Sequence, residues 1–263
     1  MKHGHFPPRV GAKFFAIASA GIFFFAALTA FSFDDPSPPL RLTIVGDSTV
    51  AAYEPSSPVH GWGEFIADRM HCRVKVRNDA VVGASSSSFL KKGNWDAALR
   101  EMPTVILIQF GHNDSFQSIN PQQTRANLQH FVESARAQGA TPILITPMQL
   151  QVFRDNTLVP SLQPYADAAK DVAAQCGVTL IDLHNLSGQL FNRLGPVKTE
   201  QLASPGGDKT HFNRLGAQAM AEIVLHELAQ ARTPLTREII EPAPPPPATS
   251  TPKPTKPKRS RTR

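Results

Sequence analysis

Cysteine is scarce in this sequence, which holds only Cys72 and Cys176 among 263 residues. No spacing of cysteine and histidine residues resembles a zinc site, so the sequence carries no signature of a structural metal centre. The two cysteines could pair in an oxidising compartment, but pairing requires the fold to bring their Cα atoms within about 7 Å of each other.

Acidic residues are absent from the amino-terminal segment. Residues 1–13 hold three basic residues and no acid, and residues 14–33 carry no charge at all. A basic stretch followed by an apolar one is typical of a signal peptide, and Ala30 and Ser32 are small residues at the two positions that a signal peptidase reads. We predict a signal peptide over residues 1–32, although the apolar run is also long enough to span a bilayer as an uncleaved anchor. Either outcome places the folded part outside the cytoplasm, in the periplasm or secreted.

The carboxyl-terminal segment also lacks acid. Residues 242–263 are rich in proline and carry six lysines and arginines. This composition cannot build a hydrophobic core, so we predict a disordered basic tail over residues 233–263. Its charge would suit an anionic surface such as a cell wall, lipid head groups or nucleic acid, while a disordered end without a specific partner explains the same composition.

Net positive charge is absent from the middle of the chain. The sequence has 27 Lys and Arg against 21 Asp and Glu; residues 1–32 hold three of the basic residues and residues 242–263 hold six. The remaining residues 33–241 therefore carry 18 basic and 21 acidic side chains, a net charge of −3. The high isoelectric point belongs to the two ends, and we expect no nucleic-acid partner for the folded domain.

What this middle part contains is an alternation of short apolar segments and helical patterns. The predicted strands are Leu40–Val45, Arg73–Val76, Thr104–Phe110, Pro142–Thr146 and Val178–Asp182. The helical patterns cover residues 61–70, 94–102, 121–139, 165–177 and 213–230. Strands without polar alternation that are separated by helices indicate an α/β fold with a parallel sheet covered on both faces. We assign residues 40–232 to one domain and residues 33–39 to a linker.

Four polar clusters lie where such a fold places its functional site. Three of them, GDST (46–49), NDAVVGASSSS (78–88) and GHND (111–114), follow the first three strands, and GGDKTHF (206–212) precedes the last helix. Ligands of open parallel sheets bind beyond the carboxyl ends of the strands, so these clusters are expected to converge.

Ser48 in the first cluster has two interpretations, a helix cap or a nucleophile. A nucleophilic serine needs a base and an orienting group, and the three-residue spacing of Asp208 and His211 can supply both. An acyl-transfer site also needs donors for an oxyanion, which the N–H of Gly83 and the side-chain amide of Asn113 can supply. Taken alone, Ser48 is more simply a cap and His211 a helix-start residue, and Asp208 is commonly a cap or turn residue. Gly83 and Asn113 would equally well be a loop glycine and a turn asparagine; the combination favours catalysis.

These residues carry a resemblance to a known family. GDSTV (46–50), GWG (61–63), NDAVVGASSSSF (78–89), QFGHND (109–114) and DKTHFNRLGA (208–217) resemble the successive blocks of the SGNH/GDSL hydrolase superfamily. The GDST variant, the glycines around Trp62 and the QFGHND run resemble its rhamnogalacturonan acetylesterase-like branch, over about residues 40–232.

The resemblance implies a serine esterase that removes acetyl groups from sugars through an acyl-serine intermediate, without metal or cofactor. By this resemblance Ser48 is the nucleophile, His211 the base and Asp208 its orienter. The oxyanion hole would comprise the N–H groups of Ser48 and Gly83 and the side chain of Asn113. We expect a monomer whose partner is an acetylated polysaccharide.

The fold that the resemblance implies is a three-layer α/β/α sandwich with a flavodoxin-like five-stranded parallel sheet of order 2-1-3-4-5. That order places Cys72 and Cys176 at opposite edges of the sheet, so we predict two free thiols.

Four further residues receive structural interpretations. We expect His112 to serve packing or loop hydrogen bonding, Trp62 to anchor the core, and Asp47 to hold its loop through backbone N–H groups. Arg154, which follows the fourth strand, could meet a sugar carboxylate, but a solvated arginine is the simpler interpretation.

The substrate is left open by the sequence. Many relatives carry arginines where this chain reads GASSSS (83–88), so a neutral acetylated hemicellulose fits as well as an acidic pectin. A lipase- or thioesterase-like enzyme would use the same residues on a lipid or small ester. A non-catalytic surface carbohydrate-binding protein would have no need of Ser48, Asp208 and His211 together.

Overall fold

The computed structural model of this protein describes residues 38–240. The predicted signal peptide or anchor, the linker up to residue 37 and residues 241–263 of the predicted tail lie outside the described residues. Within residues 38–240, none of the helices combines the length and the apolar character that crossing a bilayer requires.

A parallel sheet of five strands forms the centre of the domain, in the order β2-β1-β3-β4-β5. Its strands are β1 (Leu40–Val45), β2 (Val74–Asn78), β3 (Val105–Gln109), β4 (Thr141–Ile145) and β5 (Thr179–Ile181). The central pair is aligned with Leu42 opposite Val105 and Val45 opposite Ile108. This order confirms the prediction of 2-1-3-4-5. Strands β1 and β3 are neighbours although β2 lies between them in sequence, so the loops after both strands meet at one edge of the sheet.

Seven α-helices accompany the sheet in the described part of the chain. They are α1 (Ser86–Lys91), α2 (Asn94–Arg100), α3 (His112–Phe116), α4 (Pro121–Ala137), α5 (Gln163–Cys176), α6 (Leu183–Glu200) and α7 (Arg214–Gln230). A small antiparallel hairpin pairs Phe153–Arg154 with Thr157–Leu158.

Two hydrophobic clusters cover the two faces of the sheet. Val105 and Leu107 of β3 join the cluster that includes α7, while Ile106 and Ile108 join the cluster that includes α4 and α5. All five residues of β3 are buried, because successive side chains point to opposite faces and both faces are covered. This is the three-layer arrangement that the alternation of strands and helices predicts.

The segment over residues 61–70 forms two short 3₁₀ turns, Trp62–Phe65 and Ala67–Arg69, instead of one α-helix. The N–H of Trp62 donates to the carbonyl of Thr49 at 3.0 Å, which draws the turn against the chain that follows β1. A Cβ at Gly61 or Gly63 would collide with the backbone of Val50 or Ala51, so only glycine permits this approach. Trp62 is fully buried, which confirms it as a core anchor.

The sequence analysis predicts no helix over the residues of α6, which is the longest element that it misses. Gly195 has φ 69° and ψ 174° inside it, and Pro196 follows, so the helix is broken into two pieces at this point. The break interrupts the 3.6-residue period of apolar side chains, which is the signal that sequence reasoning depends on.

Packed structure continues beyond the predicted domain boundary at residue 232. Leu235 is fully buried, Ile239 forms a β-bridge with Met70, and the Arg69 side chain donates to the carbonyl of Ile240 at 2.9 Å. Residues 233–240 therefore belong to the folded domain rather than to a disordered tail, because they bury apolar side chains against it.

Both cysteines are free, Cys72 exposed and Cys176 half-buried. Cys72 precedes β2, at one edge of the sheet, and Cys176 ends α5, which leads into β5 at the other edge. The prediction of two free thiols is confirmed.

Candidate active site

Ser48, His211 and Asp208 form a continuous chain of hydrogen bonds. The Ser48 Oγ lies 2.9 Å from Nε2 of His211, and Nδ1 of His211 lies 2.7 Å from Oδ2 of Asp208. A carboxylate only accepts, so Nδ1 carries the ring proton of a neutral imidazole and Nε2 is free to accept the proton of Ser48. The arrangement can therefore deprotonate a serine hydroxyl as a substrate carbonyl approaches.

Asp208 is held by the chain immediately around it. Its Oδ1 accepts the N–H groups of Thr210 and His211 at 2.8 and 3.0 Å, and its Oδ2 accepts the hydroxyl of Ser204 at 3.1 Å. Burial, the largest influence, raises the pKa of Asp208, but these backbone bonds and the His211 ring outweigh it and lower the pKa to about 2. The group that faces the imidazole is thus a carboxylate at any ordinary pH.

The loop that carries Ser48 excludes the cap interpretation. Residues 48–50 form a turn, and no helix begins within it, so Ser48 has no helix end to cap. The carbonyl of Asp47 accepts the N–H groups of Val50 and Ala51, and the hydroxyl of Tyr53 donates to the carbonyl of Ser48 at 2.9 Å. Burial and the nearby carboxylates raise the pKa of Tyr53 to about 12, so this hydroxyl keeps the proton that it donates.

Three groups are available as oxyanion donors. Within residues 38–240 the backbone N–H groups of Ser48 and Gly83 have no hydrogen-bond partner. Gly83 has φ +76° and open space where a Cβ would stand, so its N–H can be approached without a side chain in the way. The side-chain amide of Asn113 donates to the carbonyl of Ala84 at 3.2 Å, which fixes it beside the Gly83 loop and leaves one N–H for another acceptor.

Asp47 and His112 form a buried pair beneath the Ser48 loop. Asp47 is fully buried and His112 is 1% exposed, with Oδ2 and Nδ1 3.4 Å apart. Nε2 of His112 lies 3.1 Å from the carbonyl of Met148, which only accepts, so Nε2 is the ring nitrogen that carries a proton towards it. Burial raises the pKa of Asp47, but the nearby His112 and two hydrogen bonds from Thr49 outweigh it and lower the pKa. The structural role expected for both residues agrees with these contacts.

A buried relay of side chains connects this pair to the core. The indole N–H of Trp62 donates to Oε1 of Gln109 at 3.0 Å, and Nε2 of Gln109 donates to the hydroxyl of Thr49 at 2.8 Å. The Thr49 hydroxyl in turn donates to Oδ1 of Asp47 at 2.7 Å. Every polar group of the relay from Trp62 to Oδ1 of Asp47 has a partner, which orients the Ser48 loop. Among the described residues, Oδ2 of Asp47 and Nδ1 of His112 face each other without a hydrogen bond.

Asp114 anchors the second polar cluster to α3. It is fully buried and accepts the N–H of Ser86 at 3.0 Å, the hydroxyl of Ser86 and the hydroxyl of Thr124 at 2.9 Å. Burial raises the pKa of Asp114 in spite of these hydrogen bonds. Asn113 and Asp114 are adjacent in sequence but contact different segments. Asn113 contacts the Gly83 loop, and Asp114 contacts the start of α1.

The structure joins Ser48, His211 and Asp208 in one chain of hydrogen bonds and holds Asn113 against the Gly83 loop. Arg154 lies on the small hairpin and is exposed. Sequence reasoning missed the supporting roles of Tyr53 and Gln109. A signal for Gln109 exists, since it is the one polar side chain in the apolar run VILIQF, and a polar residue in a buried strand needs a partner. Within residues 38–240, no cluster of three or more His, Cys, Asp or Glu side chains is arranged to hold a metal ion.

Comparison with known proteins gives matches over most of the folded part. Residues 44–219 match the model of the GDSL-like Lipase/Acylhydrolase family. The rhamnogalacturonan acetylesterase RhgT of Bacillus subtilis (strain 168) is 32% identical over 220 residues, which cover 77% of this chain and 95% of RhgT. YesY of the same strain, which bears the name "Probable rhamnogalacturonan acetylesterase", is 33% identical over 212 residues, covering 76% and 98%. The crystal structure of Bacillus subtilis YxiM has a TM-score of 0.68 and 29% identity, covering 75% of this chain and 58% of that chain.

Proposed function

Because this chain belongs to the GDSL-like lipase/acylhydrolase family, as the resemblance to SGNH/GDSL hydrolases predicts, we propose that it removes O-acetyl groups from polysaccharides. The observation that carries this proposal is the chain of hydrogen bonds from Ser48 through His211 to Asp208, with contacts of 2.9 and 2.7 Å. The substrate class follows from the rhamnogalacturonan acetylesterase RhgT, which the chain matches over 95% of the length of that enzyme.

In the first half-reaction Ser48 attacks the acetyl carbonyl while its proton passes to Nε2 of His211. The oxyanion of the tetrahedral intermediate accepts hydrogen bonds from the N–H groups of Ser48 and Gly83 and from the side chain of Asn113. The intermediate then collapses, the bond to the sugar oxygen breaks, and the imidazolium gives its proton to that oxygen, which departs as a sugar hydroxyl. Acetyl-Ser48 remains.

In the second half-reaction water takes the place of the sugar hydroxyl. His211 accepts a proton from the water, which adds to the acetyl carbonyl, and the same three donors bind the new oxyanion. Breaking the bond to Ser48 releases acetate and returns the proton to Oγ. Asp208 stays ionised throughout and keeps the imidazole in the tautomer whose Nε2 accepts.

The alternative of a lipid ester substrate is disfavoured by the surroundings of the site. The cavity beside the Gly83 loop is lined mainly by serine, asparagine and glutamine side chains. A lining of this kind offers an acyl chain little apolar surface, whereas sugar hydroxyls can hydrogen-bond to it.

Export belongs to the same proposal. The basic segment and the uncharged run over residues 1–33 support secretion or transfer to the periplasm, with the run as an anchor if it is not cleaved. Amino-terminal sequencing of the mature protein would distinguish the two. We also predict that the protein is a monomer and that its tail can contact an anionic surface.

The experiment that tests the proposed function compares the full chain with Ser48→Ala on p-nitrophenyl acetate. We expect kcat to fall by about 10³-fold or more, because the nucleophile is lost while the oxyanion donors remain. Ser57→Ala, a serine outside the three-residue chain of hydrogen bonds, is the control. Equal rates for the wild-type chain and Ser48→Ala would reject the enzyme in favour of a binding protein.

Acetate release from acetylated pectin, xylan and mannan then identifies the polymer. Hydrolysis of p-nitrophenyl acetate without acetate release from any polysaccharide would favour the lipid or small-ester alternative.

A further inference from the structure

The carboxylate of Glu64 is sheltered from solvent and has no part in the proposed reaction. Its side chain is 13% exposed. Oε1 accepts the N–H groups of Tyr53 and Gly61, each at 3.1 Å, and Oε2 lies 2.9 Å from Nδ1 of His60. Because a carboxylate only accepts, Nδ1 of His60 carries a proton. One side chain thus gathers three donors from a single short stretch of the chain.

That stretch, residues 53–61, is here called the connecting loop. Its two ends meet at the same oxygen of Glu64 although they are eight residues apart in sequence. No helix or strand of residues 38–240 includes the loop, apart from an isolated bridge at His60, and residues 54–56 and 58 are exposed. Since few backbone hydrogen bonds fix such a segment, it depends on Glu64 to hold its ends together.

The two ends of the connecting loop contact the two catalytic loops. At one end, the hydroxyl of Tyr53 donates to the carbonyl of Ser48 at 2.9 Å. At the other end, the N–H of His60 donates at 2.9 Å to the carbonyl of Phe212, the residue that follows His211. The connecting loop therefore joins the loop of the nucleophile to the loop of the base.

The backbone around Glu64 is itself fixed to the Ser48 loop. The N–H of Gly63 donates to the carbonyl of Val50 at 3.2 Å, next to the bond between Trp62 and Thr49 described above. Phe212, at the far end, is fully buried and forms β-bridges with both His60 and Ala203. A shift of the Glu64 carboxylate would thus move His60 relative to the Ser48 loop, and Phe212 would follow.

The proposed reaction is sensitive to such a shift. Proton transfer requires Oγ of Ser48 to stay within hydrogen-bond reach of Nε2 of His211, and the distance in the structure is 2.9 Å. A misplacement of about 1 Å can cost about 10²-fold in rate, even when its cause lies away from the reacting atoms.

We propose that Glu64 is a positioning residue, which sets the distance between Ser48 and His211 by closing the connecting loop. It acts through Tyr53 and His60 and contacts neither the substrate nor the reacting atoms. The inference rests on the proposed function, because it concerns the same serine and histidine.

The first test measures the hydrolysis of p-nitrophenyl acetate by Glu64→Ala in the full chain. We expect kcat to fall about 10- to 100-fold while KM changes less than about threefold, because the base is displaced and the substrate contacts remain. Urea unfolding confirms that the variant is folded under the assay conditions.

Glu238→Ala is the matched control for this test. The side chain of Glu238 is 10% exposed and pairs with Arg73 at 3.5 Å. Arg73 precedes β2, so this pair lies at the amino end of a strand, whereas the catalytic loops lie beyond the carboxyl ends. The control should lose stability without a fall in kcat of the folded chain.

The conservative variant Glu64→Gln should bring kcat back to within about threefold of the wild-type value. The amide oxygen can still accept from Tyr53 and Gly61, and the amide N–H can donate to Nδ1 of the other tautomer of His60. If Glu64→Gln is as slow as Glu64→Ala, closure of the connecting loop is not what the reaction requires.

Tyr53→Phe tests one end of the connecting loop by itself. It removes the hydroxyl that contacts Ser48 and keeps the N–H that contacts Glu64, so we expect kcat to fall only about threefold to tenfold. Tyr165→Phe, which removes a hydroxyl that donates to the carbonyl of Ile119 at 2.8 Å, is the control and should leave kcat unchanged.

Amide hydrogen exchange measures the same contacts without substrate. In Glu64→Ala the amides of residues 53–61 and 203–213 should exchange faster than in the wild-type chain, because the connecting loop opens and releases Phe212. In Glu238→Ala the exchange of these residues should be unchanged.

The outcomes separate the positioning role from the reaction. An unchanged kcat in Glu64→Ala, or an equal fall of kcat in Glu64→Ala and Glu238→Ala, would overturn the role of Glu64 and leave the esterase intact. Equal hydrolysis of p-nitrophenyl acetate by the wild-type chain and Ser48→Ala would instead reject the proposed function, and the positioning role with it.

Discussion

Ser48 and His211 lie 2.9 Å apart but belong to loops that are supported in different ways. The Ser48 loop rests on a buried relay in which Gln109 contacts Thr49 across 60 residues of sequence. The Asp208–His211 loop is local, since the polar partners of the Asp208 carboxylate come from residues 204–211.

Exposure follows the same division. Asp47 and His112 are 0% and 1% exposed, whereas the side chains of Asp208 and His211 are both 29% exposed. Changes in the Ser48 loop should therefore affect stability as well as rate, while changes in the Asp208–His211 loop should affect rate with little effect on stability.

Asp208→Asn should give the largest loss of activity. The asparagine can still accept backbone N–H groups through Oδ1, but its amide would donate to Nδ1 of His211 and favour the tautomer that carries a proton on Nε2. That imidazole cannot accept the proton of Ser48, and kcat should fall about 10³- to 10⁴-fold, as for the equivalent change in another serine hydrolase. Urea unfolding at neutral pH should show a modest loss of free energy, smaller than that of a buried pair, because the carboxylate that the fold favours is partly exposed to solvent. A large loss of stability would contradict the local support of this loop.

His112→Leu should give the largest loss of stability. It leaves the buried Asp47 carboxylate without the His112 ring that helps to lower its pKa, and one-sided loss of a buried pair costs about 3–5 kcal/mol of unfolding free energy. His184→Leu is the matched control, because His184 is also buried but its Nε2 contacts only the carbonyl of Ser161, at 2.7 Å. His184→Leu should lower the free energy of unfolding by only about 1–3 kcal/mol.

A double variant, Asp47→Asn with His112→Leu, should recover part of the lost stability because the unpaired charge is gone. If His112→Leu is no more destabilising than His184→Leu in urea unfolding, the two residues do not form an ion pair.

Ser204→Ala should have a smaller effect, confined to catalysis. It removes the hydroxyl that donates to Oδ2 of Asp208 at 3.1 Å, the oxygen that also faces His211. A hydrogen bond to a charged group contributes about 1.5–3 kcal/mol at most, and the partly exposed carboxylate can recruit water, so we expect kcat/KM to fall about threefold to tenfold. Esterase assays across the pH range measure this change in kcat/KM, with Ser57→Ala as the control. An unchanged kcat/KM would show that the backbone N–H groups alone orient Asp208.

The smallest expected effect is on stability in acid, where the wild-type chain is compared with Asp208→Asn. The pKa of Asp208 is lowered from 3.8 to about 2 in the folded state, so the fold favours its carboxylate. This contribution is complete above the unfolded value and is lost as the pH falls from about 4 towards 2. Urea midpoints of the wild-type chain and Asp208→Asn should therefore converge over that window. A difference that widens on acidification would contradict the lowered pKa.

The predictions from sequence succeeded where a signal is local. Leu40–Val45 is a strand with the predicted bounds, because an unbroken apolar run between polar residues has a single simple interpretation. Pro121 and Gly139 delimit α4, which runs to Ala137, since proline favours the first turn and glycine follows the end. The spacing of Asp208 and His211 likewise specifies a turn in which the two side chains meet.

The predictions failed where local signals were overruled by distant contacts. The segment after Gly61 has a helical pattern, yet its close approach to Val50 and Ala51 leaves room only for 3₁₀ turns. The proline-rich composition of the chain end predicts that residues 233–240 belong to the tail, yet Leu235 is buried in the domain. Neither contact leaves a mark in the local pattern, because the partner lies elsewhere in the chain.

The sequence by itself determined the alternation of strands and helices, the polar clusters at the strand ends and the residue types of an acyl-transfer site, all of which depend on short-range periodicity and spacing. Only the tertiary structure decided that Ser48 has no helix to cap, that His112 faces Asp47, and that Gln109 contacts Thr49. These facts depend on which strands become neighbours, and that is decided when the apolar faces of the whole sheet are buried together.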